Sequence, residues 1–183
     1  KRDSIIQQVQ GKGYRHIIEE FAYTWFNRLV ALRFMEVHNY LPHGFRVLSS
    51  TTGSVEPDIL RNLPLVKDDL KLNMELCGRL KEQGKTEELF RYVLLQQCTA
   101  LSGILPMLFE HNSSYMELLL PKALLIGDTV LTRLMAIPED NFLNDVEIIG
   151  WLHQFYISAK KDEVNDSKKT ITKETLPAVT QLF

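Results

Sequence analysis

The sequence has few of the features that mark membrane, secreted or disordered chains. It has no apolar run close to the ~18 residues of a membrane span, because the nearest candidate, residues 21–37, contains two arginines and a glutamate. Its two cysteines, Cys77 and Cys98, are far apart, and the simplest interpretation is reduced thiols in a cytoplasm. With 9 glycines and 7 prolines, a collagen-like or low-complexity chain is excluded.

The sequence also has little excess of charge of either sign. The net charge is -2 and the pI is about 6.2, so attraction of the whole molecule to DNA or anionic lipid is not expected. The charges are nevertheless segregated: residues 1–46 have a net charge of +3 and residues 110–150 a net charge of -5. A local basic face is therefore allowed. The 45% of hydrophobic residues among the 183 is typical of a folded domain.

Motifs for catalysis are missing or weak. The histidines lack the spacing of a zinc site, and no Gly-Lys-Ser/Thr phosphate loop occurs. Asp58, Asp69 and Lys71 match the bare string of a metal-dependent nuclease. In such sites these residues converge from adjacent strands, whereas the surrounding leucines here have helical spacing. We therefore predict no catalytic residue and no metal site.

Helical periodicity dominates the chain and predicts an all-α, multi-helix bundle. The central helix is predicted over Tyr14–Tyr40, where apolar residues recur at three- and four-residue steps until Asn39. Thr86 is the expected cap of another helix. One short β-hairpin stays open, because Leu118–Leu120 fits either a strand or a buried turn. Further helices are predicted over residues 58–62, 66–81, 86–105 and 128–137.

The composition changes after residue 160. Polar residues and lysines replace the apolar pattern, and the last ten residues become apolar again. We predict a helical module over residues 1–160, a polar linker over 161–175, and the start of a further domain over 176–183. The lysines from residue 160 onward fit either a solvated linker or an arm that contacts phosphate; they are Lys160, Lys161, Lys168 and Lys169.

Two arginines interrupt the apolar face of the central helix. A buried guanidinium needs an acceptor. Arg28 and Arg33 therefore either pair internally or extend along the apolar surface to reach solvent, or they contact DNA phosphate or a further domain. The candidate internal partners are Glu19, Glu20 and Glu36.

Four stretches together resemble a known family. They are AYTWFNRLVALRFME at 22–36, GFRVLS at 44–49, EIIGWLHQFYISAKK at 147–161 and PAVTQLF at 177–183. In this order they resemble the N-terminal region of PglX-type proteins. These are adenine-specific DNA methyltransferases of bacterial phage-exclusion (BREX) systems, also labelled methylase subunits of type II restriction enzymes. The resemblance spans essentially the whole chain, with residues 50–145 matching more loosely.

The resemblance implies a parent protein that transfers a methyl group from S-adenosylmethionine to adenine of double-stranded DNA. That chemistry requires a Gly-rich loop and an Asn-Pro-Pro-aromatic motif, and neither is present in these residues. Phe183 matches the aromatic residue at the edge of a cofactor motif that is truncated here. The resemblance thus implies that residues 176–183 begin a methyltransferase domain and that the chain is a piece of a longer protein.

We therefore expect a helical accessory module of a cytoplasmic bacterial methyltransferase, with no membrane contact. It would be non-catalytic by itself and would support DNA binding or brace the downstream catalytic domain. The alternative is an interaction platform for other proteins of the defence complex.

Overall fold

The computed structural model describes residues 6–7, 9–11, 13–106, 108–109, 119–144, 147 and 150. These residues contain helices and no strand, which confirms the all-α prediction. Leu119 and Leu120, which lie in the segment considered for a β-hairpin, do not form a strand. The helices whose bounds lie within these residues are α1 (Tyr14–Val37), α2 (Asp58–Arg61), α3 (Leu63–Val66), α4 (Met74–Glu82), α5 (Thr86–Ser102), α6 (Val130–Met135) and α7 (Glu139–Asn144).

Helix α1 is the predicted long helix, and it ends at Val37 instead of Tyr40. The reason lies in Asn39, which adopts a left-handed conformation with φ of 55°. This turn lets the N–H of Tyr40 donate to the carbonyl of Met35 at 2.8 Å. The helix is buried mainly in its second half, where Leu32 is fully buried, whereas Tyr14 at its start is 68% exposed.

The helix predicted over residues 66–81 is instead two helices, α3 and α4, with a turn between them. Lys71 in this turn has a left-handed backbone with φ of 51°. Asn73 then begins α4, because its side chain accepts a hydrogen bond from the N–H of Leu76 at 3.0 Å. The leucine spacing predicted helical structure here, but it did not reveal the break at Lys71.

Helix α5 packs against α4 and α2. The turn between α4 and α5 contains Gly84, whose φ is 66°. The prediction that Thr86 caps α5 is wrong: the capping position is Lys85, and Thr86 is already helical. The buried apolar face of α5 consists of Leu89, Phe90, Val93, Leu94, Cys98 and Leu101.

Helix α6 lies within the predicted segment 128–137 and begins with a capping box. The hydroxyl of Thr129 accepts the N–H of Thr132, and the hydroxyl of Thr132 accepts the N–H of Thr129. Of the helices in the described part of the chain, none has the length and apolar character of a membrane crossing.

The chain forms two compact units, Lys1–Glu139 and Asp140–Phe183. The predicted change from helical module to linker at residue 160 lies outside the described residues and stays a prediction. All the site geometry below belongs to the first unit.

Candidate functional site

The last turn of α1 holds a buried carboxylate. The side chain of Glu36 is 0% exposed and accepts hydrogen bonds from Arg33 Nη1 at 2.8 Å and Ser49 Oγ at 2.8 Å. It also accepts the backbone N–H groups of Val47 at 2.9 Å and Leu48 at 2.8 Å. A buried ion persists only when its hydrogen-bonding capacity is used in this way. Glu36 therefore joins α1 to the segment that follows it.

A second carboxylate reaches the same arginine from far along the sequence. Glu139, the first residue of α7, accepts Arg33 Nη2 at 3.0 Å. It also accepts both terminal nitrogens of Arg46, one of them at 3.0 Å. Glu36 and Glu139 thus balance the charges of the two arginines. We call these four residues the Arg–Glu cluster.

The two acids of the Arg–Glu cluster differ in their contact with water. Glu139 is 39% exposed and Arg46 is 21% exposed, whereas Glu36 is inaccessible. The hydrogen bond from Arg46 lowers the pKa of Glu139 below its ordinary value, with smaller contributions from Arg33. The same bond raises the pKa of Arg46. Glu139 is therefore ionised at neutral pH. Because it is partly exposed, it can be displaced from the arginines more easily than Glu36.

A cleft of about 500 Å³ lies beside the cluster. It is bounded by the loop of residues 48–55 on one side and by α6 on the other. The serine and threonine hydroxyls on its walls all take part in hydrogen bonds within the protein. The lining residues are Arg33, Leu48, Ser49, Ser50, Gly53, Ser54, Val55, Leu125, Leu131, Thr132, Met135, Ala136 and Glu139.

Asp58 shapes the loop on one wall of this cleft. Its carboxylate accepts Ser50 Oγ at 2.8 Å and the N–H of Thr51 at 2.9 Å. Partial burial raises the pKa of Asp58, but these hydrogen bonds outweigh it and lower the pKa below its ordinary value. Asp58 thus closes a loop. Asp69 and Lys71, the other members of the nuclease-like string, are exposed in the turn after α3.

The two arginines predicted from the sequence are both buried, each with 2% exposure. Arg33 pairs with Glu36, which is one of the internal partners considered above. Arg28 has its guanidinium carbon 5.5 Å from the centre of the Trp25 ring, and its Nε donates to the carbonyl of Leu108 at 3.4 Å. Contact of either arginine with DNA or a further domain stays a prediction.

The remaining predicted residues lie outside the described part of the chain. They are Lys160, Lys161, Lys168, Lys169 and Phe183. Conversely, sequence reasoning missed Arg46 and Glu139. Arg46 lies in one of the stretches that carry the family resemblance, and Glu139 lies in the acidic segment 110–150. The signal in the sequence was the opposite net charge of segments 1–46 and 110–150, because Arg46 belongs to the first segment and Glu139 to the second.

His43 takes part in hydrogen bonds within the protein, and Cys77 and Cys98 are buried. His43 accepts the N–H of Phe45 at Nδ1, so Nε2 carries the proton that it donates to Gln97 Oε1 at 2.8 Å. Burial raises the pKa of the Cys98 thiol to about 12. Within the described ranges, no three His, Cys, Asp or Glu side chains are grouped as metal ligands.

Comparison with known proteins identifies two similar sequences. The chain is 41% identical, over an alignment that covers all of it, to the adenine-specific methyltransferase BrxX of Escherichia coli O9:H4 (strain HS). Over 91% of its length it is 43% identical to the adenine-specific methyltransferase PglX of Lacticaseibacillus casei (strain Zhang). The chain spans about 15% of the length of each relative. No protein-family profile matches it. These similarities confirm the resemblance inferred from the sequence stretches.

Proposed function

We propose that this chain is the helical accessory module of a PglX-type adenine-specific methyltransferase. It resembles the N-terminal region of two such enzymes over 100% and 91% of its own length. The parent would methylate adenine in DNA within a bacterial phage-defence or restriction-modification system, in the cytoplasm. The module would support DNA binding or brace the catalytic domain, without catalysing the reaction itself. The observation that carries this proposal is the match to only 15% of the relatives' length.

S-adenosylmethionine would be bound by the downstream part of the parent. The polar side chains that line the cleft are hydrogen-bonded within the protein and are not arranged around a cofactor. The Gly-rich loop and the Asn-Pro-Pro-aromatic motif are also absent from the sequence. In this proposal, the residues of this chain hold and position partners and do not transfer the methyl group.

Methyl transfer from labelled S-adenosylmethionine to duplex DNA tests the non-catalytic part. The full-length parent should incorporate label, and these 183 residues alone should not. A parent that lacks the module should lose activity, and adding the module separately should restore part of it. Label transferred by the module alone would overturn the proposal.

The choice between DNA support and bracing is made by binding measurements on the parent with and without the module. Loss of duplex affinity that depends steeply on salt indicates direct phosphate contact. Unchanged duplex affinity with a lower melting temperature of the catalytic domain indicates bracing. No change in either quantity would contradict both versions.

A protein-interaction platform is the second candidate. It is favoured by large apolar side chains that are exposed in the described residues, among them Leu65 at 69%, Val55 at 68% and Ile126 at 68%. In a pull-down with the other components of the defence system, this candidate predicts that the module retains a partner and that the parent without the module does not. Equal retention by both would count against it.

A further inference from the structure

The Arg–Glu cluster contains one fixed and one exchangeable acid. Glu36 is inaccessible and satisfies four donors, two of them backbone N–H groups. Glu139 is 39% exposed, and the hydrogen bonds described for it come from the two arginines. Releasing Glu139 would return its carboxylate to water, which costs far less than displacing a buried ion.

Release of Glu139 would leave Arg33 and Arg46 opposite Glu36 alone, with a local net charge of +1. Guanidinium groups bind phosphate oxygens in the same forked geometry that they use for a carboxylate. The cleft of about 500 Å³ beside Arg33 and Glu139 gives room for such a group, and Arg46 is 21% exposed. The hydroxyl of Ser49 borders the same space.

We propose that Arg33 and Arg46 form a binding site for a phosphate of the DNA backbone, and that the carboxylate of Glu139 occupies this site until phosphate replaces it. Glu139 thereby acts as an internal competitor that keeps DNA affinity low. This inference rests on the proposed role of the module in DNA binding. It names the residues that make the contact and the contact that inhibits it.

The test measures binding of the 183-residue chain to a short fluorescein-labelled duplex by anisotropy at low salt. Glu139→Gln should raise the affinity about fivefold, since this substitution removes the competing charge but keeps the side-chain shape. The matched control is Asp128→Asn. Asp128 also pairs with an arginine, Arg133, but on the exposed surface, so its removal should change affinity less than about twofold.

Arg46 provides the second arm. Adding Arg46→Ala to Glu139→Gln should abolish the gain in duplex affinity. Circular dichroism establishes that each variant is folded. Equal gains from Glu139→Gln and Asp128→Asn, or a gain that survives removal of Arg46, would overturn the inference.

Inorganic phosphate separates the two possible sources of the anion. At equal ionic strength, phosphate should raise the melting temperature of Glu139→Gln more than chloride does, and should not do so for Asp128→Asn. Stabilisation by phosphate without a gain in duplex affinity would overturn the DNA backbone as the ligand. If wild type binds duplex and Glu139→Gln does not change that binding, only this inference fails. Absence of duplex binding in every variant would remove the DNA-binding role itself.

Discussion

The packing of α4 against α5 and the Arg–Glu cluster are two ways of stabilising the same unit. Helix α5 presents leucines, valine and phenylalanine at helical spacing, and several of them, such as Phe90 and Leu94, are fully buried. The end of α1 is instead held by the charged side chain of Glu36, which accepts hydrogen bonds from the backbone N–H groups of residues 47 and 48. The first arrangement is non-directional, whereas the second depends on the position of each donor.

The difference predicts how each region responds to change. An apolar core tolerates side chains of similar volume, because its energy follows buried area and packing. A buried ion pair contributes little net free energy but becomes costly when one partner is lost, because the other stays buried and charged. Substitutions at Glu36 should therefore have larger effects than truncations in α5.

The largest effect is expected for Glu36→Ala, which should lower the free energy of unfolding by about 4 kcal/mol. It leaves the buried Arg33 with Glu139 as its remaining acid in the cluster and removes the acceptor of two backbone N–H groups. Urea unfolding followed by circular dichroism measures this loss.

Glu56→Ala is the control for Glu36→Ala. Glu56 is more than one-third exposed and lies 3.9 Å from Arg61, so its loss should cost less than about 0.5 kcal/mol. Equal costs for the two substitutions would contradict the distinction between buried and surface charge.

Leu94→Ala should cost about 3 kcal/mol, because Leu94 is fully buried in α5 and its truncation leaves a cavity. Leu94→Met, which nearly conserves volume, should cost less than about 1.5 kcal/mol by the same urea titration. Leu65→Ala serves as the surface control, since Leu65 is 69% exposed. A cost for Leu94→Met as large as that for Leu94→Ala would indicate that this region, too, depends on exact geometry.

Glu87 provides an intermediate case, because it lies on α5 but acts through polar contacts. Its carboxylate accepts the N–H groups of Leu124, Leu125 and Ile126 at 2.9 to 3.2 Å. Glu87→Ala should cost about 2 kcal/mol. Hydrogen exchange should accelerate at residues 124–126 and stay unchanged at residues 47 and 48. Acceleration at both places would show that the two polar anchors are one cooperative unit.

The sequence predicts these regions unequally for a physical reason. Helical periodicity is local, so α1 and the buried face of α5 follow from three- and four-residue steps. The break at Lys71 and the start of α4 depend on one left-handed residue and one side-chain cap, which the leucine pattern conceals.

The Arg–Glu cluster is harder to predict, because its partners come from distant positions. Arg33 and Glu36 lie one turn apart, and their pairing was considered from the sequence. Glu139 is 106 residues from Arg33, and only the folded chain brings them together. Charge segregation indicates that opposite segments can meet, but not which residues do so.

The smallest effect expected concerns the pH dependence of the Glu139 pair. Replacement by Gln should cost about 1 kcal/mol at neutral pH, because the pair is partly exposed. Arg46 lowers the pKa of Glu139 below its ordinary value of 4.5, so the folded protein binds this proton less readily than the unfolded chain. The stabilisation is then complete above pH 4.5 and is lost as the pH falls through the lower pKa of the folded state. Urea titrations of wild type and Glu139→Gln across this range should converge as the pH falls. A difference that stays constant into acid, or one that widens, would mean that the cost of Glu139→Gln does not come from the charge of the carboxylate. It would remove the electrostatic contrast between Glu139 and the apolar face of α5.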